Sequence, residues 1–219
     1  MKRIVIAIDG PSGAGKGTIA RTISARLGYR HVDTGAMYRA VAWKALHDHV
    51  AVDDEAAVAS LAERSTIAVE GGVVSIDGHD VTAAIRTPDI DKGAAAVARL
   101  PRVRAVLVAR QRALGREGGV VMEGRDIGTV VFPQAEVKIY LDASAEERAR
   151  RRANDPAHTG SQSGQAAVAA AIQARDTSDT TRAASPLTLA PDAVRIDTTS
   201  MPIDAVVEKV MELVREKIG

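Results

Sequence analysis

The stretch IDGPSGAGKGT, Ile8 to Thr18, decides the fold. The continuous apolar run Ile4–Ile8 leads into it and reads as a strand buried on both faces. Ile19, Ile23 and Leu27 follow it at four-residue spacing, with Gly28 as a helix C-cap. Strand, glycine-rich loop and helix, in that order, is the context in which G-x-x-x-x-G-K-[ST] binds phosphate. The glycines let successive backbone N–H groups turn toward one anion, and the helix adds its positive end. Gly10, Gly15 and Lys16 fit the pattern, but Gly17 stands where the hydroxyl belongs and Thr18 arrives one residue late. The expected nucleoside-triphosphate loop therefore comprises Gly10, Pro11, Ser12, Gly13, Ala14, Gly15, Lys16, Gly17 and Thr18, with Lys16 reaching the transferring phosphate. Thr18 lies about 100° further round the helix than the usual metal-binding hydroxyl. Mg2+ is accordingly expected to be held mainly by ATP and water, with Thr18 as the candidate protein ligand. Gly17 leaves space beside the phosphates for a second phosphorylated substrate.

Outward from the loop, strand and helix alternate. His31–Val32 reads as a second strand, and Met37, Val41 and Ala45 line one face of a second helix. Val120–Met122, Val137–Leu141 and Val194–Ile196 are further short buried strands, with helical stretches between the last of them. Ser144 and Glu147 form a capping box, and Pro202 opens a final helix with Val206, Val210 and Val214 inward. The pattern predicts an α/β chain with a parallel sheet covered on both faces. Thr66–Val81 breaks it with two or three short strands joined by Gly-Gly and Asp-Gly turns, an antiparallel insert followed by alanine- and arginine-rich helices to Gly115. Asn154–Gln165 is polar and glycine-containing and reads as a mobile tip. The expected partition is a core of 1–62, 85–147 and 176–219. The insert of 63–84 continues into a helical substrate-binding part, 85–115, and 148–175 forms a lid and its adjoining helix.

Composition narrows the function classes. The 219 residues are 46% hydrophobic and contain no cysteine, so a core without disulfides, thiolate metal sites or cysteine nucleophiles is expected, consistent with a reducing compartment. A net charge of +1 gives no bulk attraction to nucleic acid or membrane, and five aromatic residues in all argue against base stacking on a single strand. The first ten residues, MKRIVIAIDG, read as a strand rather than a signal peptide, and no apolar run is long enough to span a bilayer. A cytoplasmic monomer is expected. Arginine outnumbers lysine 22 to 7, and eleven arginines fall between Arg99 and Arg152. The planar guanidinium matches phosphate oxygens two at a time, and phosphoryl transfer asks mainly for positioning and charge neutralisation.

Four further motifs follow the loop in order: DTGAMYR (Asp33–Arg39), PRVRAVLVARQR (Pro101–Arg112), EGRDIGTVVFP (Glu123–Pro133) and RDTSDTTRAASPL (Arg175–Leu187). The GKGT form is similar to that of nucleoside monophosphate kinases. Together the motifs resemble the bacterial cytidylate kinases over nearly the whole chain. That resemblance implies a doubly wound five-stranded sheet, a substrate-binding insert and a short lid. It also implies transfer from ATP, with Mg2+, to CMP or dCMP. Thr34 and Tyr38 would line the CMP pocket, Arg39 and Arg125 would hold the acceptor phosphate, and Arg104 and Asp126 would read the cytosine edge. Arg175 and Asp179 would lie around the ribose and Arg182 at the phosphates, with Arg151 and Arg152 poorly ordered or swung outward without nucleotide and closing from the lid with ATP. The resemblance departs at Ala95, where the family usually carries a nucleotide-contacting serine, and around Ser178 and Thr180, which lack arginines that some relatives have.

The residues also admit plainer readings. Arg102, Arg110, Arg112 and Arg116 suit a solvated helix face, and Arg148 and Arg150 suit pairs with Glu146 or Glu147. Asp126 could cap a turn, although it follows a buried strand at the ligand-binding edge of the sheet. Tyr38 could be core, although Met37 and Val41 already supply the apolar face of its helix. His47, His49 and His79 show no convergent ligand set. Two other function classes stay open at this level. One is a different small-molecule kinase, such as a shikimate-type enzyme; the other is a nucleotide-dependent switch or assembly ATPase.

Overall fold

A computed structural model describes residues 3–155 and 164–218. Five parallel strands, β1 (Val5–Asp9), β2 (Arg30–Asp33), β6 (Val120–Gly124), β7 (Val137–Asp142) and β8 (Val194–Asp197), form one sheet in the order β2-β6-β1-β7-β8. The predicted strands are all present; β1 is shifted by one residue from Ile4–Ile8, and the other four are each extended by a residue or two. β1 is central, in register with β6 (Ile6 opposite Val121) and with β7 (Ile6 opposite Val137).

Alternation along β1 explains the layers. Ile4, Ile6 and Ile8 face α1 (Lys16–Leu27) and α8 (Ile203–Ile218), meeting Ile19, Ile23, Val206, Val210 and Val214. Val5 and Ala7 face the other way, toward Val108 of α5 (Pro101–Gly115) and a π-helical turn at Ile127–Val131. A strand buried on both faces reads as unbroken apolar sequence, as Ile4–Ile8 does. The helices α2 (Thr34–His47), α3 (Glu55–Arg64), α4 (Pro88–Val97) and α5 share a second core built on Met37, Val41, Ala45, Leu61, Val97 and Leu107. Sequence reasoning missed α3, although Asp54 caps it by accepting from the Ala57 N–H at 3.0 Å.

The insert is a three-stranded antiparallel sheet, β3 (Ile67–Glu70), β4 (Val73–Ile76) and β5 (His79–Asp80), packed through Val74 and Ile76 against α2. Gly71-Gly72 and Asp77-Gly78 turn it with positive φ at both central positions, the tight hairpin geometry expected of those dipeptides. The polar tip lies largely outside the described residues. Its last two residues, Gly164 and Gln165, begin a helix, α7 (Gly164–Thr181), that is paired with α6 (Ala145–Ala153). The cuts expected at 147/148 and 175/176 therefore fall inside helices. The capping box is one-sided: Ser144 Oγ accepts from the Glu147 N–H, but the Glu147 carboxylate turns to Arg150 and Arg151, and the Ser144 N–H goes to Thr199. No described helix is long and apolar enough to cross a membrane.

The chain leaves β1 toward β2 on one side and leaves β6 toward β7 on the other. The C-terminal ends of β1 and β6 thus form the crevice where open α/β sheets take ligands. Gly10 opens the loop there with φ +145°, and a Cβ on it would lie 2.0 Å from the Leu141 carbonyl oxygen. Gly28 has φ +63°, and a Cβ on it would meet nothing within 4 Å. Gly10→Ala is expected to cost at least about 3 kcal/mol through a clash with backbone that cannot swing aside. Gly28→Ala should cost about 1 kcal/mol through conformation alone. Urea denaturation of the two variants measures the difference; equal losses would show that close approach is not what selects glycine at position 10.

Candidate active site

The loop between β1 and α1 carries positive φ at Gly10, Gly13 and Gly15, and Gly15 is a left-handed N-cap with no side-chain bond to the helix. The first N–H groups of α1 are thus left to an anion. Lys16 is buried, and its Nζ donates to the Pro11 carbonyl at 2.7 Å, folded back across the loop. Burial, reinforced by the nearby Arg125 charge, lowers the Lys16 ammonium to about 7, with Glu123, Asp179 and Asp9 opposing. Thr18 is exposed, and the Glu123 carboxylate faces Gly17, 3.3 Å from where a Cβ would stand.

The second wall rises from α2. Asp33 caps it with one oxygen, accepting from the Ala36 N–H, and takes Arg39 with the other at 2.8 Å. Thr34 Oγ1 donates to the Glu123 carbonyl at 2.7 Å, tying α2 to the end of β6. Tyr38 is buried beneath Arg104, whose guanidinium carbon lies 5.7 Å from the ring centre, and burial pushes its hydroxyl up to about 12. Both plain readings of Tyr38 and Asp126 are thereby answered. Tyr38 belongs to the helical core and also presents its face to an arginine. Asp126, at the head of the π-helical turn, makes no cap and instead pairs with Arg104.

Four arginines from three segments converge on two carboxylates. Arg104 of α5 bonds Asp126, and Arg182 Nη2 stands 4.0 Å from the other Asp126 oxygen. Asp179 of α7, 1% exposed, accepts from Arg125 at 2.8 Å and from Arg175 at 3.2 Å, and faces Arg182 at 3.9 Å. Burial would raise the Asp179 carboxyl, but the Arg125 and Arg175 charges hold it below the usual range. Three guanidinium N–H groups here, Arg39 Nε, Arg104 Nε and Arg182 Nη2, are buried without a hydrogen-bond partner.

The expected lid residues are not swung outward. Arg151 donates to Glu147 and twice to Thr198, whose hydroxyl lies 3.2 Å from the Ala14 carbonyl of the loop. Arg152 pairs with Asp91 of α4 at 2.6 Å, and Arg175 donates to the Asp91 carbonyl at 3.1 Å. A partner of opposite charge within reach holds each side chain inward. Arg150 pairs with both oxygens of Glu147, as its spacing predicted, but Arg148 does not. Arg148 is buried, bonds Asp176 at 2.6 Å and donates to the Ser12 carbonyl at 3.2 Å, so it braces the phosphate loop. Arg110 and Arg112 are likewise tied, to the carbonyls of Glu63 and of Val130 and Val131, whereas Arg102 and Arg116 are exposed. His47, His49 and His79 are exposed. Ala95 lies half-buried on α4.

Sequence reasoning did not single out Asp9, Asp91 or Thr198, and it read Arg148 through its helix neighbours Glu146 and Glu147. Asp9 and Thr198 had a signal, since each stands at the C-terminal end of a strand on the ligand edge. Arg148 and Asp91 had none, because their partners are remote in sequence. Among the described residues no group of three or more His, Cys, Asp or Glu is placed to hold a metal ion.

A family model described as cytidylate kinase matches residues 6–216. A cytidylate kinase of Geobacillus kaustophilus is 50% identical over 100% of this chain and 99% of its own. One from Solibacter usitatus is 48% identical over 99% and 94% respectively. Among solved structures, a gluconokinase from Sinorhizobium meliloti superposes with a TM-score of 0.53 at 12% identity, covering 99% of this chain and 94% of that one. The last is a likeness of fold alone.

The Lys16 value gives a proton-linked prediction. An unfolded lysine titrates near 10.5 and the buried one near 7, so between those values the unfolded chain binds more protons and this group's contribution to stability rises with pH. A polyphosphate brought against Lys16 favours the ammonium and raises its pKa again. ATP binding at pH 8 is expected to take up as much as about one proton. Calorimetry in two buffers of different ionisation enthalpy measures the uptake, and Lys16→Met should abolish it.

Proposed function

The chain belongs to the cytidylate kinase family, and on that footing we propose that it moves the γ-phosphoryl group of ATP to CMP or dCMP, giving ADP and CDP or dCDP. One observation carries the acceptor side. Among the described residues the carboxylates within ion-pair distance of Arg104, Arg125, Arg175 and Arg182 are those of Asp126 and Asp179, so guanidinium exceeds directly paired carboxylate by two in a largely buried cluster, with Glu123, Asp176 and Asp91 acting on it from farther off. A phosphate monoester brings close to two negative charges at neutral pH. An unphosphorylated acceptor of the shikimate type would leave that excess uncompensated, and a switch or assembly ATPase has no use for a second anion site.

In this reading Arg39 and Arg125 hold the acceptor phosphate, Arg182 the phosphates, and Arg175 and Asp179 the ribose, while Thr34 and Tyr38 line the pocket. Asp126 accepts from the cytosine N4 amine. The unpartnered Arg104 Nε–H supports donation to the acceptor side of the base. Lys16, Arg125, Arg151, Arg152 and Arg182 neutralise charge as the phosphoryl group passes in line between oxygens. Arg151 and Arg152 join by exchanging Thr198 and Asp91 for phosphate oxygens, and their closure excludes water from the transfer. The partition into a core, an insert at 63–84 with its helical continuation to 115, and a lid at 148–175 belongs to the same proposal. The donor set at the loop is sparse in protein oxygens, which fits an ion that keeps water and phosphate ligands. Mg2+ would be met by Thr18 and, beside Gly17, by Glu123, and when bound it would neutralise phosphate charge.

Base choice tests the reading. Uracil reverses two of the hydrogen-bonding groups, and each unpaired buried group costs about 1–3 kcal/mol, so CMP should exceed UMP tens-fold or more in kcat/KM. Asp126→Ala should narrow that ratio by losing activity on CMP. Lys16→Ala should lower kcat by on the order of 10²-fold in a folded protein. A coupled assay with ATP and CMP, dCMP, UMP and AMP measures all of these. Equal efficiency on CMP and UMP would remove the cytosine assignment, and rapid ATP hydrolysis without any monophosphate would favour an ATPase instead.

A further inference from the structure

Four helices of this chain begin with a residue whose side chain caps its own helix. Asp33 accepts from the Ala36 N–H, Asp54 from Ala57, Thr87 from Ile90 and Ser144 from Glu147. Asp126 stands at the same place before the π-helical turn Ile127–Val131, with a side chain well suited to capping, and it makes no such bond. The first two N–H groups of that turn are satisfied from another strand. Ile127 donates to Asp9 Oδ1 at 2.8 Å and Gly128 to Asp9 Oδ2 at 2.7 Å, and all three residues are buried. Asp9 ends β1 directly opposite Gly124 of β6, which brings its carboxylate under the turn that follows β6.

We infer that Asp9 is a positioning residue that sets base specificity: by capping the turn from β1, it frees the Asp126 carboxylate to face Arg104, Arg182 and the base. The inference rests on the reading of Asp126 as the base-recognising carboxylate. Buried N–H groups are almost never left without an acceptor. With Asp9 gone, the Asp126 carboxylate is the acceptor that stands next to the freed Gly128 N–H, the second of the turn and one that a side chain at this position can reach, and it would turn from the pocket toward it. Burial raises the Asp9 carboxyl to about 6 against the pull of the two N–H groups, so at neutral pH it is ionised and accepts with both oxygens. The charged and titratable groups around it are Asp126, Lys16 of α1 and Tyr140 of β7, and the stem of Lys138 passes the same glycine that Asp9 holds.

The test is the CMP-to-UMP ratio of kcat/KM, in which effects on ATP binding and on the common phosphate cancel. Asp9→Asn keeps one acceptor and turns an N–H₂ toward the second donor. It should lower the ratio by about tenfold, chiefly through a higher KM for CMP. In an Asp126→Asn background the same change should leave the ratio where it is. Asp9→Ser, which offers one acceptor and no competing donor, is the milder second variant and should lie between. Urea denaturation selects the variants that fold. A ratio unchanged in folded Asp9→Asn and Asp9→Ser, or a loss that falls equally on CMP and UMP, would overturn the inference and leave the cytosine reading intact. An unmodified protein that does not distinguish CMP from UMP would overturn both.

Discussion

Asp179 lies among the guanidinium groups of Arg125, Arg175 and Arg182, almost wholly shielded from water. It joins the end of β6, through Arg125, to the last turns of α7. A buried carboxylate with several charge-assisted partners is stable only if all of them stay in place. Its three partners are therefore fixed relative to one another, and Arg182 carries that order on to Asp126 and Arg104. Removing Asp179 would leave like charges facing each other at low dielectric, so the cluster is held together by the same group that limits its surplus. The walls on either side are pinned by hydrogen bonds to backbone carbonyls, α2 by Thr34 at Glu123 and the phosphate loop by Arg148 at Ser12 and Thr198 at Ala14.

The sheet, the loop and the ends of the helices were legible because their causes are local. Ile4–Ile8 followed by glycines read as a strand buried on both faces entering a phosphate loop, and Gly71-Gly72 and Asp77-Gly78 read as tight turns. The candidate site was legible as a set of motifs but not as a set of partners. Arg148 and Arg150 stand two residues apart in one helix, and nothing in their spacing separates a brace on the loop from a surface pair with Glu147. The difference is made by Asp176, which lies in another helix. The capping box failed by half for a related reason: two neighbouring arginines compete for Glu147 and take it from the helix terminus. The outward swing expected of Arg151 and Arg152 overlooked Thr198 and Asp91, acceptors contributed by β8's end and by α4.

A hydroxyl that arrives one residue late is of a piece with this arrangement. Gly17 keeps the space beside the loop open toward Glu123 and Arg21, where a side chain would press on both. Gly13 is packed so closely on α6 that an added Cβ would lie 2.8 Å from the Arg148 carbonyl oxygen, so loop and helix form one surface. Both glycines trade conformational restraint for space, one keeping room beside the Glu123 carboxylate and the other admitting a rigid neighbour.

Asp91 has a consequence for how such chains can be recombined. Its carboxylate holds Arg152 of α6 and its carbonyl holds Arg175 of α7, while its own helix packs with α2, α3 and α5. The two helices that flank the polar tip are therefore cross-braced to α4 rather than only to the sheet. A chimera that took α6 and α7 from one relative and the rest from another would inherit mismatched halves of that brace. The unit of exchange in this architecture is α4 together with α6 and α7, three segments that are separate in sequence and joined by one aspartate.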